Sequence, residues 1–118
     1  VFMGMGEPLA NFAAVMRAVR VLAAPWGMGI SARKITISTV GLPQAIERLA
    51  AEMELPVTLA LSLHAPTDEI RRKLIPWAQF TTIDELLGAC KRSCHFMIPP
   101  ECKSIGSMNS PRRTLMWR

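Results

Sequence analysis

The chain has 118 residues, half of them apolar, which is enough for one domain with a buried core. No uninterrupted apolar run approaches the roughly 20 residues of a bilayer-spanning helix, and no charged segment ahead of an apolar one marks a signal peptide. The net charge of +5 is a local property: residues 1–90 hold eight basic and eight acidic residues, whereas the last 28 hold six basic and one acidic. A basic tail can contact phosphates, but the neutral body gives no nucleic-acid signal. The cysteines, Cys90, Cys94 and Cys102, also sit at or after that junction. Their odd number argues against a disulfide framework and for a reducing, cytosolic compartment.

In chain order, Val1–Met5 reads as an apolar strand ending in the turn Gly4-Met5-Gly6-Glu7-Pro8. Because the chain opens in mid-strand, a preceding segment is expected. Asn11 is placed to cap a helix whose Phe12, Val15, Met16, Val19 and Leu22 fall at helical spacing, with Arg17 and Arg20 on the other face. Pro25-Trp26-Gly27-Met28-Gly29 closes it. Lys34–Thr39 alternates and is β-rich, predicting a second strand.

Gly41 and Pro43 open a second helix, with Ile46, Leu49, Ala50 and Met53 inward and Glu47, Arg48 and Glu52 outward. Pro56–Leu63 is apolar almost throughout, as in a strand covered on both faces. Thr67, followed by Asp68 and Glu69, starts a short helix with acids at its positive end. Thr82 and Glu85 fit a capping box for a further helix through about Cys90. Three strand–helix units in this order predict an α/β fold with parallel strands. Three units cannot close a barrel, so both sheet edges are expected to lie open. From about residue 92 to 118 neither period continues, and an irregular basic tail is expected.

Each chemistry-bearing residue is open to two readings. Glu7, between Gly6 and Pro8 at a strand end, is either a clamp for a ligand's ammonium group or an ordinary exposed turn acid. Gly4 and Gly6 allow a ligand close to the backbone, yet no Gly-x-Gly-x-x-Gly is present. Ser38 and Ser62 are ligand contacts or small core residues; His64 is a ligand-facing imidazole or a satisfied strand-terminal histidine. Cys90-x3-Cys94 begins the Cys-x3-Cys-x2-Cys pattern that holds an iron–sulfur cluster, but the third position is Met97 and Cys102 comes too late. These thiols therefore read as unligated, and no metal set is assigned.

The combination says more than its parts. Val1-Phe2-Met3-Gly4-Met5-Gly6-Glu7-Pro8-Leu9, Arg33–Gly41 (Arg-Lys-Ile-Thr-Ile-Ser-Thr-Val-Gly), Leu61-Ser62-Leu63-His64-Ala65-Pro66 and Leu74-Ile75-Pro76 occur in order at suitable intervals. Over about residues 1–91 the chain resembles an internal part of the radical S-adenosylmethionine adenine-C2 methyltransferases, which modify 23S rRNA and tRNA. A C8-methylating resistance branch shares these motifs. The resemblance implies a partial radical-SAM (β/α) barrel of three parallel units. It also implies S-adenosylmethionine bound by Gly6, Glu7, Ser38, Ser62, Leu63 and His64, with Gly6 and Glu7 at its methionine end.

The resemblance further implies a 4Fe–4S cluster that cleaves the cofactor to a 5′-deoxyadenosyl radical, an electron donor, and a methyl-carrying cysteine. An adenine C2 carbon is not nucleophilic, which is why polar methyl transfer does not suffice. The cluster motif of the family precedes the Gly-Glu-Pro turn, and its methyl-carrying cysteine lies far beyond position 118. The chain alone is therefore expected to be inactive. A shifted reading frame after about Cys90 would account together for the lost periodicity, the charge jump and the clustered cysteines. Two further readings are a non-catalytic RNA-binding module using the basic tail and an inert truncated product.

Overall fold

A computed structural model describes residues 1–3, 5–97 and 114–117, without side chains at 77, 94–97 and 114–117. Glu7 opens the first helical segment. Its side chain accepts from the Leu9 amide and caps a 3-10 turn over Pro8–Asn11, with Pro8 needing no partner for its missing N–H. The turn leads into α1 (Phe12–Ala23), which Asn11 precedes without a side-chain capping bond. The apolar stripe is the expected one: Phe12, Val15, Met16 and Val19 are buried and Leu22 is half-buried. A 3-10 turn at Ala32–Lys34 delays β1 to Thr36–Thr39, two residues later than its sequence pattern begins.

α2 (Pro43–Glu52) buries Ile46 and Leu49 and joins β1 to β2 (Thr58–Ser62). The two strands are parallel, with Ile37 opposite Leu59 and Thr39 opposite Leu61. Thr67 caps α3 (Asp68–Leu74) through the Ile70 amide, and α3 carries acids in its first turn and bases in its last. The capping box ahead of α4 (Ile83–Met97) is complete: Thr82 N donates to Glu85 Oε2 at 2.8 Å and Glu85 N to Thr82 Oγ1 at 3.2 Å. Among the described residues no helix is long and apolar enough to cross a membrane.

Three expectations need correction. The first strand is reduced to a single parallel bridge, Phe2 to Ile37, made by Phe2 N to Thr36 O at 2.7 Å and Ser38 N to Phe2 O at 2.8 Å. The glycine-rich turn and the Glu7 cap pull the chain off the sheet at once, so two parallel strands stand where three units were expected. The third strand of the sheet is β3 (Thr114–Trp117), which pairs antiparallel with β2 and covers an edge expected to be bare. Finally, α4 runs past Cys90 to Met97, so the described ends of the 92–118 stretch are regular, one helical and one extended. The frame-shift expectation otherwise falls on residues 98–113 and 118, outside the described set.

The core lies on one face of the sheet. Ile37 and Leu61, both fully buried, join Val19, Ile46, Leu49, Leu86 and Cys90 beneath α1, α2 and α4. Burying one such leucine stabilises the fold by about 2 kcal/mol. α2 and α4 are further linked by Ser93 Oγ donating to Ile46 O at 3.4 Å and by an exposed Arg92–Glu47 ion pair at 2.6 Å. The opposite sheet face carries Thr36, Ser38, Thr58, Ala60 and Ser62, all small or polar, because alternate strand residues point to opposite sides. Leu61 and Ser62, one peptide apart, thus serve different chemistry.

Candidate functional site

Strand ends, not strand faces, assemble the site. After β1 the chain turns at Gly41, whose φ of +106° only glycine adopts without strain. Thr39, 1% exposed, accepts the Gly41 amide on Oγ1 at 3.1 Å and so satisfies a buried donor. A Cβ on Gly41 would lie 2.6 Å from Leu86 Cδ2, so the loop after β1 can sit this close to α4 only as glycine. After β2, His64 takes a left-handed conformation (φ +63°) and its Nδ1 engages the Ser62 carbonyl at 2.9 Å. This turns its exposed imidazole back over the strand end. Histidine is among the residues that tolerate this region.

Around these ends lies an open cleft of about 170 Å³, lined by Met3, Gly6, Glu7, Pro8, Ser38, Thr39, Val40, Ser62 and His64. Three chain segments far apart in sequence supply it. Gly6, Glu7, Ser38, Ser62 and His64 come together there. Leu63 does not line it; its side chain belongs to the core, at 4% exposure. A Cβ at Gly6 would meet nothing within 4 Å, so open space faces that backbone. Ser38 Oγ and Ser62 Oγ stand 3.4 Å apart across the strands, a long contact that leaves both hydroxyls free to turn toward a ligand.

Glu7 takes a role that neither sequence reading contained. Its two oxygens accept from two backbone amides, Leu9 N at 2.9 Å and Val40 N at 2.8 Å. The second bond spans 33 residues and ties the first turn to the end of β1. The half-buried carboxylate is therefore a clasp between two strand mouths, held in place by both amides.

Arg71 is the residue that sequence reasoning missed. In α3 it stands in a run of charged residues and looks solvated, yet it is 1% exposed. Its Nη1 donates to Thr81 O at 3.0 Å and its Nη2 to Val40 O at 2.9 Å. Desolvation lowers its pKa, opposed by the Asp68 carboxylate nearby. Only the helical register of α3 could have hinted at it: Arg71 lies on the side opposite Glu69 and Lys73, which pair at the surface at 3.0 Å.

The cluster question turns on donors. Cys90 is buried and its thiol is pushed up to about 11 by desolvation, which opposes the thiolate a metal needs. Among the described residues no three His, Cys, Asp or Glu side chains are grouped to hold a metal ion. The described residues therefore do not fit an iron–sulfur cluster.

No family model matches the chain. The probable dual-specificity RNA methyltransferase RlmN of Moorella thermoacetica is 54% identical over 92 residues, which are 78% of this chain and 26% of that protein. The enzyme of the same name from Mycolicibacterium paratuberculosis is 60% identical over 93 residues, 77% of this chain and 25% of that protein. The crystal structure of a radical SAM methyltransferase from Sphaerobacter thermophilus aligns with a TM-score of 0.74 at 47% identity, covering 80% of this chain and 28% of that one. The chain spans about a quarter of the length of the curated relatives it matches. Over that shared segment the chain is a homologue of the RNA methyltransferases named RlmN and is similar to a radical SAM methyltransferase of known structure.

Proposed function

We propose that this chain carries one part of the S-adenosylmethionine pocket of an RNA adenine methyltransferase, built on a partial radical-SAM (β/α) barrel. The observation that carries the reading is the cleft itself, where Gly6, Glu7, Ser38, Ser62 and His64 converge from three strand ends. Ligands of parallel α/β sheets bind outside the carboxyl ends of the strands, and the cleft lies there. In this reading Gly6 offers bare backbone to the methionine end, and the Glu7 carboxylate, oriented by Leu9 and Val40, faces the ammonium group. Ser38, Ser62 and His64 line the remainder.

When bound beside a reduced 4Fe–4S cluster, S-adenosylmethionine supplies radical chemistry that reaches carbon atoms polar transfer cannot. The described residues hold no donor set for that cluster, so their share is binding and orientation. The substrate in this reading is an adenine of 23S rRNA or tRNA, methylated at C2, in the cytoplasm. The 118-residue chain alone is expected to bind S-adenosylmethionine weakly and to methylate nothing.

Titrating S-adenosylmethionine into the 15N-labelled chain tests the pocket. Shifts confined to Gly6–Leu9, Ser38–Val40 and Ser62–His64 are expected, and no saturable shift at millimolar ligand would sink the reading. In a longer protein containing this segment, mass spectrometry of adenosine from treated 23S rRNA reads the carbon: C2 methylation is expected, and methylation at C8 would move the chain to the resistance branch.

A further inference from the structure

Arg71 is the largest of the fully buried side chains among the described residues. A permanently charged guanidinium placed on two neutral carbonyls suffers desolvation, and no carboxylate among the described residues is bonded to it. Asp68, which acts on it electrostatically, has its Oδ1 engaged by the Ile83 amide at 2.8 Å. The Arg71 Nε has no hydrogen-bond partner among the described residues. An apolar side chain of similar volume would fill the same space without these penalties. What it could not do is hold two carbonyls from two loops at once.

Those carbonyls matter because of what lies beyond them. Thr81 O precedes α4, and Val40 O belongs to the loop after β1. Val40 is bonded on both sides of its Cα: its carbonyl accepts from Arg71 at 2.9 Å and its amide donates to Glu7 at 2.8 Å. Glu7 continues to the Leu9 amide at 2.9 Å. Hydrogen bonds thus run unbroken from α3 to the first turn, passing through two cleft-lining residues, Val40 and Glu7.

We propose that Arg71 is a positioning residue for the cleft: it pins the Val40 backbone so that the Val40 amide and the Glu7 carboxylate hold the two strand mouths together. What the cleft then takes, S-adenosylmethionine, rests on the function proposed above. The guanidinium touches no ligand and acts only through Val40 and Glu7.

The test compares the unsubstituted full chain with Arg71→Met and Arg71→Lys by amide hydrogen exchange and by S-adenosylmethionine titration. Arg71→Met is expected to lower protection of the Val40 amide about tenfold or more, as loss of a bond to a charged group does. Amides inside α2 should change far less. S-adenosylmethionine affinity should fall by a similar factor, and Arg71→Lys, with charge but no fork, should recover only part of both. Unchanged protection at Val40, or an equal loss throughout α2, would overturn the assignment, the latter because a merely structural arginine lowers stability everywhere. A folded Arg71→Met chain with undiminished affinity would overturn it too. Should Arg71→Met show no cooperative melt, Arg71→Lys carries the same comparison. If the unsubstituted chain fails to bind S-adenosylmethionine while the Val40 loss stays local, the cofactor reading falls and the positioning role stands.

Discussion

The nine residues of β1 and β2 alternate between two sheet faces that obey different rules. On the helix side, Ile37, Leu59 and Leu61 pack under α1, α2 and α4, and position is set by volume and burial. On the other side Ser38 and Ser62 make only a long 3.4 Å contact, and at the strand ends a directed 2.8 Å hydrogen bond holds Glu7 to Val40. Burial acts on every apolar atom alike, so many side chains would serve the first face. A bond such as Glu7 to Val40 has one donor, one acceptor and one geometry. The helix side sets whether the chain folds; the mouth sets what the fold can hold.

The sharpest way to break this contrast is to truncate neighbours on opposite faces. Leu61→Ala should cost about 2–5 kcal/mol, since a fully buried leucine leaves a cavity that packed neighbours fill poorly. Ser62→Ala should cost less than about 1 kcal/mol, because its 3.4 Å contact with Ser38 is long. Urea denaturation of both variants checks this, and equal losses would erase the distinction between the faces. Gly41→Ala joins the two regions, as it strains a φ of +106° and drives a methyl into Leu86. About 1–3 kcal/mol is expected, with part of it regained on adding Leu86→Ala.

Two smaller effects sharpen the picture. Burial raises the folded Cys90 pKa above its ordinary value of 9.0 to about 11, so the fold favours the neutral thiol. Its contribution is whole below pH 9 and is lost as pH rises from 9 toward 11. Cys90→Ala should flatten that part of the stability–pH curve, and native Cys90 should resist thiol reagents at pH 8 until the chain unfolds. Thr82→Ala at the capping box should cost about 1 kcal/mol on thermal melting, through the loss of a cap at the start of α4.

Local grammar was legible wherever local forces decide. The stripe Phe12, Val15, Met16, Val19, the Thr67 cap and the Thr82–Glu85 box all follow from spacing within one or two turns, where the interacting groups are sequence neighbours. The strands could be found but not measured, because β1 starts at Thr36 only after a 3-10 turn has used Lys34. Of the site, the strand-end residues Gly6, Glu7, Ser38, Ser62 and His64 could be named before the structure, by motif resemblance more than by pattern. Arg71 could not: a basic residue among charged neighbours carries no mark of burial.

By itself, then, the sequence determined the α/β alternation, the helix caps and the apolar stripes, because each arises from contacts between residues a few positions apart. Only the tertiary structure decided that the first strand shrinks to a bridge at Phe2 and that β2 takes an antiparallel neighbour. It alone also decided that Glu7 closes on Val40 and that Arg71 is swallowed beneath them. Those outcomes depend on groups 31 to 33 residues apart reaching hydrogen-bond distance. Side-chain periodicity encodes which face of an element is apolar, and nothing in it encodes which remote amide a carboxylate will meet.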